Sequence, residues 1–178
     1  MNSNEYINQY YQNYDEDGRL LSRHGMVEFL TTMRYIEKYL TPEARILEIG
    51  AGTGRYSHAL AGMGYCVDAV ELVEHNIDLF KSHITENENI TITQGNALDL
   101  ANFVDNTYDI TLLLGPMYHL FTKDEQKKAL SEVIHVTKPG GIVFAAYCMG
   151  DASILSYGFI RGHIHEIIDK CMLNTNTF

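Results

Sequence analysis

Apolar residues in this chain fall into short runs, and between the runs they recur every three or four positions. Runs over 45–49, 65–70, 90–94, 108–114 and 142–147 read as strands, the third with strict alternation. Helical spacing predicts helices over 54–61, 73–83, 123–137 and 153–170. Ahead of them Met26, Phe29, Leu30, Met33, Ile36 and Leu40 predict a helix from about residue 25 that packs on the sheet. It should stop before Thr41-Pro42, because a residue ahead of proline is pushed out of the α region. Strands alternating with helices predict an α/β, doubly wound, mostly parallel sheet of about five strands with right-handed crossovers. The expected organisation is an N-terminal helical cap over 1–40 and a core over 41–178.

The first strand ends in Glu48-Ile49-Gly50-Ala51-Gly52-Thr53-Gly54, with glycine at every second position and a helix directly after it. Such a turn exposes backbone N–H groups and a helix N-terminus to an open crevice, where a nucleoside-containing cofactor fits. A dinucleotide fingerprint would need its third glycine one place later, for helix packing beside a pyrophosphate. Glu48 also suits an ammonium or sulfonium group better than a pyrophosphate. An ordinary tight strand-to-helix turn is the bland alternative.

Four later turns add context. Glu71 ends the second strand about 20 residues after the loop, where an acid can accept both ribose hydroxyls, with Leu72 beside it. Gly95-Asn96-Ala97-Leu98 follows the third strand, Leu114-Gly115-Pro116-Met117-Tyr118-His119 the fourth, and Lys138-Pro139-Gly140-Gly141 precedes the fifth. In this order the motifs resemble those of class I S-adenosylmethionine-dependent methyltransferases over 44 to about 150, which implies a Rossmann-like fold and S-adenosyl-L-methionine as cofactor. The resemblance places Gly50, Ala51, Gly52, Thr53 and Gly54 on the methionine side with Glu48 balancing positive charge, and Glu71 and Leu72 at the ribose. It places Asn96, Ala97 and Leu98 at adenine, and Leu114 and Gly115 at the methyl group. Asn96 stands where the family usually has aspartate; its amide still accepts a hydrogen bond but carries no charge.

Methyl transfer is an in-line displacement at an activated carbon, so a protein supplies alignment and at most a base. His119, with Tyr118 beside it, is the candidate base; it could equally cap or pack the next helix. Neither an Asn-Pro-Pro-Tyr motif nor a Pro-Cys nucleophile follows the fourth strand, and the net charge of −10 repels phosphate backbones. A small-molecule acceptor, methylated at N, O or S, is therefore expected, with no nucleic acid. A binding module without turnover and a nicotinamide-dependent oxidoreductase are the rival readings.

No apolar run reaches the roughly 18 residues of a membrane span and the N-terminus lacks a signal pattern, so a cytoplasmic protein without membrane contact is expected. Cys66, Cys148 and Cys171 are too few and scattered for a disulfide framework, Cys66 and Cys148 fit reduced core thiols, and no spacing suggests a metal site. His163 and His165 would face different ways on a helix. Asp15-Glu16-Asp17-Gly18 reads as a solvated turn because its spacing departs from a calcium loop. Tyr6, Tyr10 and Tyr14 share a helical face that could form an aromatic lid or pack on the domain. Arg19 could meet a carboxylate of cofactor or acceptor, or stay at the surface. The family's C-terminal β-hairpin is missing from the sequence, which suggests a fragment, a chain completed by another polypeptide, or a homo-oligomer that covers the sheet edge.

Overall fold

A computed structural model describes residues 22–149 and 154–169, together with Ile7, Gly18 and Ala152. Tyr6, Tyr10, Tyr14, Arg19 and Cys171 lie outside the described residues. The chain divides into two compact units, Met1–Ala146 and Tyr147–Phe178.

In the first unit, helix α1 (Arg23–Ile36) starts at Ser22, whose hydroxyl accepts from the Gly25 N–H at 3.1 Å. A short 3₁₀ turn, Glu37–Tyr39, then carries the chain towards Thr41-Pro42. Strand β1 (Arg45–Ile49), helix α2 (Arg55–Gly62), strand β2 (Cys66–Glu71), helix α3 (Glu74–His83) and strand β3 (Ile90–Gln94) follow. Strand β4 (Tyr108–Leu113), helix α4 (Lys123–Val136) and strand β5 (Thr137–Ala145) complete the unit. All pairings are parallel, in the order β3-β2-β1-β4-β5. This is the doubly wound, Rossmann-like sheet expected from the alternation of strands and helices.

The period of two along β1 sorts its side chains between two cores. Leu47 and Ile49 join Leu113 of β4 and Ala129, Val133 and Val136 of α4. On the other face Ile46 meets Met33 and Ile36 of α1 and Leu60 and Ala61 of α2. Leu30, expected to face inwards, is 58% exposed, because Met33 and Ile36 take the buried line of α1. The strand ends opposite the crevice are tied by charge: Asp68 accepts from Arg45 and from the Tyr108 hydroxyl, both at 2.8 Å, and Lys138 pairs with Asp109 at 2.8 Å.

Three local expectations change. The Lys138-Pro139-Gly140-Gly141 segment lies inside β5: from the Tyr108–Thr137 pair to the Ile110–Ile142 pair, β4 advances from 108 to 110 while β5 advances from 137 to 142. The extra residues loop out, and Pro139 has no N–H to give the ladder. Cys66 is only part-buried and Cys148 is exposed, so neither is a core thiol. In the second unit the single helix expected over 153–170 is a π-helical stretch, Ile154–Ile160, and a short α5 (Ile164–Asp169), separated by a turn at Arg161-Gly162-His163. His163 stacks on Tyr157 with ring centroids 4.4 Å apart and pairs with Glu166 at 3.0 Å.

Candidate functional site

The loop after β1 is held by the neighbouring strand. Gly50 and Ala51 donate their backbone N–H groups to the Val70 carbonyl, at 2.8 and 3.1 Å. Gly50, Gly52 and Gly54 all have positive φ, at 71°, 57° and 88°. A Cβ on Gly50 would lie 2.6 Å from Pro116 Cδ, so this glycine lets the turns after β1 and β4 abut. A Cβ on Gly54 would lie 2.4 Å from the Phe80 ring. Gly54 therefore faces α3 and serves the docking of α2, whereas the sequence suggested a crevice wall.

Glu48 shares the strand parity of Ile46 and so points at α2. It is buried, and one carboxylate oxygen accepts from both the backbone N–H and the hydroxyl of Ser57. Burial raises its pKa to about 8 against the pull of those bonds, with the Glu71 charge adding to the rise. The side chain is a largely protonated strut between β1 and α2, not an acid open to the crevice.

Glu71 is the central polar group of the site. It is 6% exposed at the end of β2, with one oxygen 2.8 Å from the Gly52 N–H and the other 2.9 Å from the Val73 N–H and 3.4 Å from Asn76 Nδ2. The carboxylate thus links the glycine loop to the start of α3, and the oxygen bonded to Gly52 keeps acceptor capacity. Leu72 is half-buried beside it, its carbonyl accepting from Gln94 at 3.2 Å.

After β3, Asn96 Oδ1 accepts from the Leu98 N–H at 2.9 Å, a local turn that orders Asn96, Ala97 and Leu98. Ala97 is buried and Leu98 packs against the α4-side core. After β4, Leu114 packs against the α1-side core, and a Cβ on Gly115 would lie 3.3 Å from the Gly50 carbonyl. Tyr118 and His119 follow in a 3₁₀ turn, Pro116–Tyr118, that His119 closes through its N–H to the Pro116 carbonyl at 2.9 Å. Burial holds the His119 pKa below the ordinary histidine value. The C-terminal ends of the strands therefore gather the glycine loop, Glu71, Asn96 and the Gly115–His119 turn along one edge of the sheet. Ser57 and Asn76 belong to this arrangement and escaped the sequence reading. Only Ser57 left a trace, in the inward parity of Glu48.

A methyltransferase-domain family model matches residues 46–141. The chain belongs to that family. Demethylmenaquinone methyltransferase of Renibacterium salmoninarum is 35% identical over 106 residues, 59% of this chain and 41% of that protein. Glycine/sarcosine N-methyltransferase of Aphanothece halophytica is 25% identical over 91% of this chain and 60% of its own length. The PH0226 protein of Pyrococcus horikoshii superposes with a TM-score of 0.70 at 23% identity, covering 83% of this chain and 69% of that one, a likeness of fold. The chain spans about half the length of the curated relatives it matches. Among the described residues no helix is long and apolar enough to cross a membrane, and no group of three or more metal-ligating side chains occurs.

Proposed function

We propose that this chain binds S-adenosyl-L-methionine and transfers its methyl group to an N, O or S atom of a small molecule. The observation that carries the reading is Glu71: a buried carboxylate bonded to Gly52, placed beside the glycine loop with acceptor capacity to spare. A ribose hydroxyl needs an acceptor on a rigid group, and this one is already held in place. The donor set fits the rest of the cofactor. Gly50, Ala51, Gly52 and Thr53 present backbone to its methionine part, Asn96, Ala97 and Leu98 form the adenine turn, and Leu114 and Gly115 line the methyl region.

When bound, the cofactor supplies an electrophilic methyl carbon. The chain's own task is to align an acceptor, exclude water and take the acceptor's proton. His119 is suited to that, since its lowered pKa keeps the ring neutral and able to accept a proton at neutral pH, with Tyr118 at the rim. The relatives' names span an N-methyltransferase, an O-methyltransferase and a demethylmenaquinone methyltransferase, which supports a small acceptor.

Calorimetry with S-adenosylhomocysteine and NAD tests the reading. We expect S-adenosylhomocysteine to bind and NAD to give no heat; the reverse would overturn it. His119→Ala should keep that affinity and lose methyl transfer across an acceptor panel. Binding by the unaltered chain without transfer to any acceptor would mark a binding module instead.

A further inference from the structure

The connection from β3 to β4, residues 95–107, has no helix of its own. Its first part is the Asn96–Leu98 turn assigned above to adenine. Bonds within the segment close that turn: the Asn96 carbonyl accepts from the Asp99 N–H at 2.9 Å, and Asp99 Oδ1 accepts from the Ala101 N–H at 3.2 Å. These local bonds shape the turn but do not tie it to the body of the protein.

A fixed point comes from α4, where one Glu132 oxygen accepts from the Leu100 N–H at 2.8 Å. The Leu100 side chain is fully buried in the core that holds Val133 and Val136 of the same helix. Glu132 is itself held. His135, one turn on, places Nε2 3.2 Å from the same oxygen and Nδ1 3.1 Å from Asp105, near the far end of the connection. There the Asn106 and Thr107 N–H groups donate to the His135 and Val136 carbonyls, both at 2.8 Å. A side chain already braced on its own helix gives up little rotamer freedom when it bonds backbone, and an ionised carboxylate is a stronger acceptor than a neutral group. Glu132 thus pins the chain two residues after Leu98 and takes no part in the contacts assigned to the cofactor.

We propose that Glu132 is a positioning residue of the cofactor site: by fixing the Leu100 backbone it holds the Asn96–Leu98 turn against the base and so sets the preference for adenine. This inference rests on the cofactor and the adenine turn assigned above. Two ligands isolate it. S-adenosylhomocysteine carries adenine, whereas S-inosylhomocysteine differs from it in the base alone, with a carbonyl in place of the amino group. A site built to hydrogen-bond one base rejects the other because its polar groups are left unpaired.

In calorimetric titrations the unaltered protein should bind S-adenosylhomocysteine more tightly than S-inosylhomocysteine. Glu132→Ala should reduce that ratio roughly 5- to 10-fold, the effect of about one hydrogen bond lost from the order of the turn. Glu132→Gln keeps an acceptor oxygen for the Leu100 N–H and should retain most of the ratio. A merely structural role would weaken both ligands alike, so an unchanged ratio in Glu132→Ala would overturn the inference. A Gln variant no better than the Ala variant would do the same. Equal binding of both ligands by the unaltered protein would also overturn it while leaving the cofactor reading intact, and failure to bind S-adenosylhomocysteine would remove both. If thermal unfolding shows Glu132→Ala to be unfolded, the ratio is read from Glu132→Asp, whose shorter side chain draws the oxygen back from Leu100; an unchanged ratio there overturns the inference.

Discussion

Glu71 combines a structural task with the one proposed for it in binding. Its oxygens already hold the backbone of Gly52 and Val73, so the loop is ordered before a ligand arrives and less entropy is lost on binding. Glu71→Ala should weaken S-adenosylhomocysteine binding by about 1.5–3 kcal/mol, the cost of a charge-assisted bond left unmade. Calorimetry checks this, and unaltered affinity would remove Glu71 from the site. The position of Glu71 was legible because an acid directly after a buried apolar run, at a set distance from a glycine loop, has few structural uses. Glu48 reads less well from sequence. Its partner Ser57 stands on the next helix, and only the docking of α2 brings the two together.

Among the elements, the glycine loop shows how one motif serves two purposes. Gly52 gives its N–H to Glu71, while Gly54 lets Phe80 of α3 pack against the start of α2. Gly54→Ala should destabilise the fold by roughly 1–3 kcal/mol from overpacking, with a further 1–2 kcal/mol for alanine at positive φ. Urea denaturation measures it, and Phe80→Leu in the same background should recover part of the loss. Equal stability of the variant and the parent would show that the ring has room to move. Helix and strand positions over 45–136 were readable because apolar period reports which face is buried. The excursion inside β5 was not: Lys138 to Gly141 looks like any turn in sequence, and Thr137 counts as strand only because it pairs with Tyr108.

At the scale of the whole molecule, stability should depend on pH through the buried acid between β1 and α2. Glu48 has a pKa of about 8 in the folded protein against an ordinary 4.5. Between those values the folded chain keeps a proton that the unfolded chain has lost, so this contribution is full below about pH 4.5 and fades as pH rises to about 8. Glu48→Gln keeps an acceptor for Ser57 but cannot ionise. Its urea midpoint, relative to the parent, should therefore rise from about pH 5 to about pH 8. Parallel profiles for the two proteins would show that Glu48 ionises normally in the fold.

By itself the sequence determined the class of fold, the order of strands and helices, and the glycine loop and strand-end acid that carry the family likeness. These are local properties: side-chain periodicity, turn chemistry and short spacings act within a few residues and are written directly in the chain. Tertiary structure alone decided that Glu48 meets Ser57, that Gly54 meets Phe80, that Gly50 abuts Pro116 and that Arg55 is stacked on Phe29. Each of those pairs depends on how neighbouring helices and turns dock on and beside the sheet. That setting comes from the combined packing of many side chains, and no single stretch of sequence encodes it.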